Sequence, residues 1–110
     1  MPKSANVEYQ LTDSQIADLA VRANQGDTKA AMRLGFYYDF VAGDHDSAYT
    51  WLRKAADYGD PKAQFNLGVR TFGKGGSEAC GDARYWFPLA QQNGFAKAEK
   101  ELDRLKGCTK

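Results

Sequence analysis

An offset of 33 residues lays Gly26-Asp27-Thr28-Lys29-Ala30 over Gly59-Asp60-Pro61-Lys62-Ala63, and Leu34-Gly35 over Leu67-Gly68. Further along, the offset is 35: Ala48 meets Ala83, Trp51 meets Trp86, Ala55 meets Ala90 and Gly59 meets Gly94. The two added residues fall within Gly73-Lys74-Gly75-Gly76-Ser77, where a surface loop tolerates insertion. A third, partial copy starts at Gly94, with Ala98 and Leu102 lying 35 after Ala63 and Leu67. A period of this length holds two helices per unit, and such units bury their apolar faces by stacking. The repeat therefore predicts an all-α chain: an α/α superhelix of about six antiparallel helices, two full repeats with partial units at both ends.

Local pattern supports the helices one by one. Ala30, Leu34 and Tyr38 recur at i, i+4 and i+8, one face of a helix. Ala48, Trp51, Leu52, Ala55 and Ala56 form the stripe of the next. Thr12-Asp13-Ser14-Gln15 reads as a capping box opening a helix with Ile16, Leu19, Ala20 and Ala23 inward. Asp44 or Asp46 caps the third helix and Asp60 the fourth, with Pro61 in the first turn. Gly35 and Gly68 stand mid-helix, where glycine costs about 1 kcal/mol against alanine; its repetition predicts close helix–helix approach. Ala98, Leu102 and Leu105 face inward in a charged last helix suited to cap the stack. The predicted spans are 13–25, 27–41, 45–58, 60–72, 80–93 and 95–106. Residues 1–110 read as a single domain, with 1–11 as a flexible arm and 107–110 as a tail.

Composition excludes several classes. Hydrophobic residues at 43% and charged residues at 26% are ordinary globular proportions, which argues against disorder. A net charge of +1 with no long basic run points away from nucleic acid. No apolar run reaches the length of a membrane span. The opening Met1-Pro2-Lys3-Ser4-Ala5-Asn6 leads into polar sequence rather than an apolar core. No signal peptide is expected from it, which suits the cytoplasm, or an exported compartment if the chain is a processed form.

Catalytic and metal chemistry find little footing. His45, the single histidine, lies in Gly43-Asp44-His45-Asp46 and reads as an exposed turn residue rather than a ligand or base. Gly73-Lys74-Gly75-Gly76-Ser77 lacks phosphate-loop spacing. No cofactor, metal site or catalytic residue is expected. Cys80 and Cys108 fit neither a metal quartet nor a Cys-x-x-Cys motif, and are either two free thiols or one bridge. Cys80 opens the fifth predicted helix and Cys108 follows the sixth, so those ends would be neighbours. A bridge there would contribute roughly 3–4 kcal/mol on the chain-entropy model and would point to an exported protein.

These units resemble the Sel-one-like repeat family, relatives of the tetratricopeptide repeat. The residues that carry the likeness are Gly59-Asp60, Ala63-Gln64-Phe65-Asn66-Leu67-Gly68, Gly73-Lys74-Gly75, Ala83, Trp86, Ala90 and Gly94 in the second unit. In the first they are Gly26-Asp27, Leu34-Gly35, Tyr38, Gly43, Asp46, Ala48, Trp51, Ala55-Ala56 and Gly59. The likeness covers about residues 23–105. Thr71 replaces the family's aromatic, Gln91 replaces its second alanine, and Pro88 falls inside the last paired helix, where it should kink the helix or delay its start. The resemblance implies a right-handed stack of helix pairs acting as an adaptor or regulator, not an enzyme. Small bacterial members also serve as immunity proteins that neutralise a secreted toxin.

In such stacks the first helix of each pair lines the concave side. With Ala30, Leu34 and Tyr38 inward, the opposite face presents Lys29, Met32, Phe36, Asp39 and Phe40. The following unit presents Lys62, Phe65, Val69 and Phe72, and the third adds Lys97, Lys100 and Arg104. A groove that is aromatic at one end and basic at the other suits an acidic protein partner with large apolar anchors. The competing reading packs Phe36, Phe40 and Phe65 between neighbouring helices. Tyr37, Tyr49 and Tyr85 fit either surface. The charged 97–106 segment argues against end-to-end self-stacking, so a monomer is expected. Two functions follow: an adaptor binding a protein partner, or a one-to-one inhibitor of a toxin.

Overall fold

The computed structural model describes residues 9–72 and 77–105, with backbone alone for residues 72, 77–79, 103 and 104. Six α-helices and one π segment account for these residues, and no strand occurs among them. The chain divides into two compact units, with the boundary between Tyr58 and Gly59.

In the first unit, α1 (Asp13–Asn24) opens on a full capping box. The Thr12 hydroxyl accepts from the Gln15 amide at 3.1 Å, and the Thr12 amide donates to Gln15 Oε1 at 2.8 Å. Its end is closed at Gly26, whose φ of +100° is cheap only for glycine. There Gly26 N–H bonds the Ala23 carbonyl and Asp27 N–H the Arg22 carbonyl, adding to the Gln25 amide that both carbonyls already receive. Asp27 then caps α2 (Thr28–Tyr37), accepting from the Ala30 amide at 3.1 Å.

The expected continuous helix to residue 41 instead changes pitch. Tyr38–Ala42 form a π turn that ends on Gly43 at φ +68°. The left-handed glycine folds the chain back, so the Gly43 and Asp44 amides both converge on the Tyr38 carbonyl. Asp44 rather than Asp46 caps α3 (His45–Asp57), accepting from the Ser47 amide at 3.1 Å. Leu19, Ala23, Ala30, Ala31, Leu34, Ala48, Leu52, Ala55 and Ala56 are buried in this unit.

The second unit repeats these devices. Asp60 accepts from the Ala63 amide at 3.0 Å and starts α4 (Pro61–Phe72) with proline in its first turn. α5 runs Ser77–Gln92, three residues earlier than expected; the added stretch includes Glu78 and Ala79, residue types of high helix propensity. It passes through Pro88, which has no N–H to offer Arg84 yet does not end the helix. Gly94, at φ +100°, turns the chain toward α6 (Ala98–Arg104). Ala83, Phe87 and Leu105 form the core, with Phe65 and Leu102 packed against it.

The mid-helix glycines do the same job twice. A Cβ on Gly35 would lie 2.6 Å from Leu52 Cγ, and one on Gly68 would lie 2.5 Å from Phe87 Cε1. Leu52 and Phe87 are themselves equivalent positions, 35 residues apart. Each glycine therefore admits the large side chain at the same place in its own unit.

Candidate functional site

The inward residues of α2 are Ala30, Ala31, Leu34 and Gly35, all buried. That leaves Lys29, Arg33, Phe36 and Phe40 on the opposite stripe, spaced four, three and four apart. The π turn does not break this stripe: the Phe36 and Phe40 rings stack with centroids 5.9 Å apart. Tyr9, from the segment before α1, completes a three-ring cluster at 5.6 Å from Phe36 and 5.0 Å from Phe40. Residues 9–11, expected in a flexible arm, thus pack onto α2. Half of Phe40 remains exposed. Beside the rings is a cavity of about 170 Å³ lined by Tyr9, Leu11, Arg33 and Phe36.

The charges here differ from those on the neighbouring surfaces. Arg22 pairs with Asp18 and Asp27 at 3.3 and 3.2 Å, and Arg53 pairs with Asp57 at 3.1 Å while bonding the Tyr49 hydroxyl at 3.2 Å. Lys29 and Arg33 are exposed, and their charged ends have no ion pair or hydrogen bond among the described residues. The acidic caps are engaged elsewhere. The Ala30 amide and the Arg22 guanidinium hold the Asp27 carboxyl below its ordinary value, against a smaller opposing effect of burial. Asp44 is held low by the Ser47 hydroxyl and amide.

Two residues expected on the outward face turn inward. Met32 is 9% exposed, and Phe65 is half-buried, with its ring 5.6 Å from Phe87 and 4.8 Å from Phe95. They are the same position of the repeat, 33 apart. That position flanks the outward stripe, so a long apolar side chain there folds onto the core of its own unit. Asp39 also sits on a flank: its side chain is 8% exposed and lies 2.9 Å from His45 Nδ1. His45 itself is exposed at the start of α3.

In the second unit Lys62, Lys97 and Lys100 are exposed, as is Val69 at 44%. The side chains of Phe72 and Arg104 lie outside the described residues. Gln64, buried at 3% exposure, accepts from Asn93 Nδ2 at 3.0 Å and ties α4 to the turn after α5. Tyr49 and Tyr85 are exposed, while Tyr37 is half-buried against Tyr38. No group of three or more His, Cys, Asp or Glu side chains among the described residues is arranged to hold a metal. Cys80 is disulfide-bonded; Cys108, the other cysteine of the chain, lies outside the described residues.

Arg33, Tyr9 and Leu11 are the site residues that repeat alignment passed over. Arg33 was legible as the residue one turn beyond Lys29 on the same stripe. Tyr9 and Leu11 precede the repeat, and nothing in its period marks them.

The chain is an all-helical protein whose described helices include none long and apolar enough to cross a membrane. It is similar to an uncharacterised protein of Escherichia coli (strain K12), YibG, with 29% identity over 110 residues, spanning 96% of this chain and 72% of that one. No family model matches the chain, and no solved structure does.

Proposed function

We propose that this chain is a Sel-one-like repeat protein that binds another protein, without catalysis, through the outward face of α2. Its units would stack as successive turns of an α/α superhelix. The repeated devices support the repeat reading: Asp27 and Asp60 cap equivalent helices, and Gly35 and Gly68 receive equivalent side chains. The observation that carries the binding function is the stripe on α2, where a half-exposed Phe40 adjoins stacked aromatic rings and two cations with no carboxylate partner among the described residues. Aromatic residues and arginine are enriched at protein interfaces, and a half-exposed Phe40 in a ring cluster near Arg33 fits that composition.

Affinity capture from the source organism with wild type and Phe40→Glu in parallel tests this. The variant should lose the captured partner while circular dichroism remains unchanged, because Phe40 is not core. A partner retained in full by Phe40→Glu sinks the stripe as the binding face. A one-to-one complex that abolishes an activity of the partner would narrow the reading to a dedicated inhibitor.

A further inference from the structure

The protein-binding reading leaves open what chemistry the face selects, and the cavity beside the stripe narrows it. It is lined by Tyr9, Leu11, Arg33 and Phe36. The volume, about 170 Å³, compares with the roughly 150 Å³ of an apolar cavity that accommodates benzene. It therefore has room for one aromatic side chain. Aromatic walls suit such a guest, since tilted and offset ring contacts add to the area buried. The Arg33 guanidinium has no partner among the described residues, and Lys29 lies one turn away on the same stripe. Asp39, in the π turn, is turned to His45, and Asp27 to Arg22 and the Ala30 amide. Among the described residues, no carboxylate pairs with Arg33 or Lys29.

We infer that this cavity is an anchor site for a single aromatic side chain carried on an acidic internal segment of a partner protein, with Arg33 pairing the carboxylate that flanks the aromatic residue. The ring enters the cavity beside the packed Tyr9 and Phe36 rings, and the flanking acid reaches the guanidinium, which offers several donors in a fixed fork. This assignment rests on the protein-binding reading above and makes it specific. Arg33 selects by charge, and Tyr9, Leu11 and Phe36 select by shape.

The test uses the full-length, isotope-labelled chain titrated with three tripeptides, each acetylated and amidated: Glu-Phe-Glu, Glu-Ala-Glu and Lys-Phe-Lys. Glu-Phe-Glu should bind weakly and saturably, with amide shifts centred on Leu11, Arg33 and Phe36, while the other two should not. Arg33→Ala should weaken Glu-Phe-Glu by about fivefold, the upper range for an exposed ion pair, and added salt should narrow that difference. Tyr9→Ala, which removes a wall without touching the charge, should weaken it independently of salt. Equal binding of Lys-Phe-Lys, or unchanged affinity in Arg33→Ala, overturns the site. If Phe40→Glu loses its captured partner while Arg33→Ala binds the tripeptide normally, the pocket falls and the wider reading stands. If the tripeptide result holds but capture survives Phe40→Glu, the pocket stands and the wider stripe falls.

Discussion

At Gly68 an added methyl would sit 2.5 to 3.0 Å from three atoms of the Phe87 ring, and that ring is fully buried. An aromatic ring held in a core has no flexible end to move aside, so the clash must be met by shifting a helix. Overpacking of this kind costs about 1–3 kcal/mol, whereas replacing a helical glycine by alanine returns about 1 kcal/mol in propensity. Gly68→Ala should therefore destabilise, by up to about 2 kcal/mol, in urea unfolding. Gly81, inside α5 with nothing within 4 Å of its added Cβ, makes the opposite case, and Gly81→Ala should stabilise by about 0.5–1 kcal/mol. Equal effects of the two substitutions would mean that close approach at Gly68 contributes nothing. The cost of a mid-helix glycine was readable from one repeat copied onto the next. Which side chain it receives was not, because Leu52 and Phe87 share a position but not a residue type, and identity of period carries position rather than contact.

Helix starts were the most legible elements, because a capping aspartate acts on an amide three residues ahead and the information is local. Asp27, Asp44 and Asp60 each accept from the amide at that spacing. The Ala30 amide lowers Asp27, and the Ser47 hydroxyl and amide lower Asp44, below an ordinary value of 3.8. A carboxyl depressed in the folded state contributes stability that is present above its unfolded value and lost as pH falls through its folded value. The melting temperature should accordingly hold down to about pH 4 and fall below it. Asp27→Asn keeps a capping acceptor but cannot titrate, so this variant should show a smaller acid loss when melting is followed by circular dichroism. An unchanged acid profile would mean the Asp27 cap adds no pH dependence. The π turn was less legible, since Tyr38–Ala42 carry no residue that forbids ordinary α pitch, and Gly43 decides the outcome from beyond the helix end. Its φ of +68° makes Gly43→Ala strained, and a loss of about 1 kcal/mol is expected in the same assay. For the proposed binding face, the stripe through Lys29, Phe36 and Phe40 followed from helical spacing. Met32 and Phe65 were misplaced because a flank position is neither inward nor outward until a long apolar side chain chooses the core.

The division at Tyr58 and Gly59 gives each half of the chain one tryptophan, Trp51 in the first unit and Trp86 in the second. It also gives the second unit both cysteines. Units of this size are marginal, since a core below about 70–80 residues rarely supplies more than 3–5 kcal/mol by itself. Cys80 is disulfide-bonded, and the chain's other cysteine is Cys108. On the chain-entropy model a cross-link closing the segment 80–108 contributes about 3–4 kcal/mol, comparable with everything such a core provides. Reduction should therefore unfold the second unit, or bring it close to unfolding, and leave the first unit as it was. Trp51→Phe and Trp86→Phe make the separation measurable, because each variant retains one tryptophan as reporter. In urea, reductant should move the transition reported by Trp86 to markedly lower denaturant and leave the one reported by Trp51 in place. If both transitions move together, the units unfold as one cooperative body. If neither moves, the disulfide carries none of the second unit's stability, and its packing around Phe87 and Leu105 suffices.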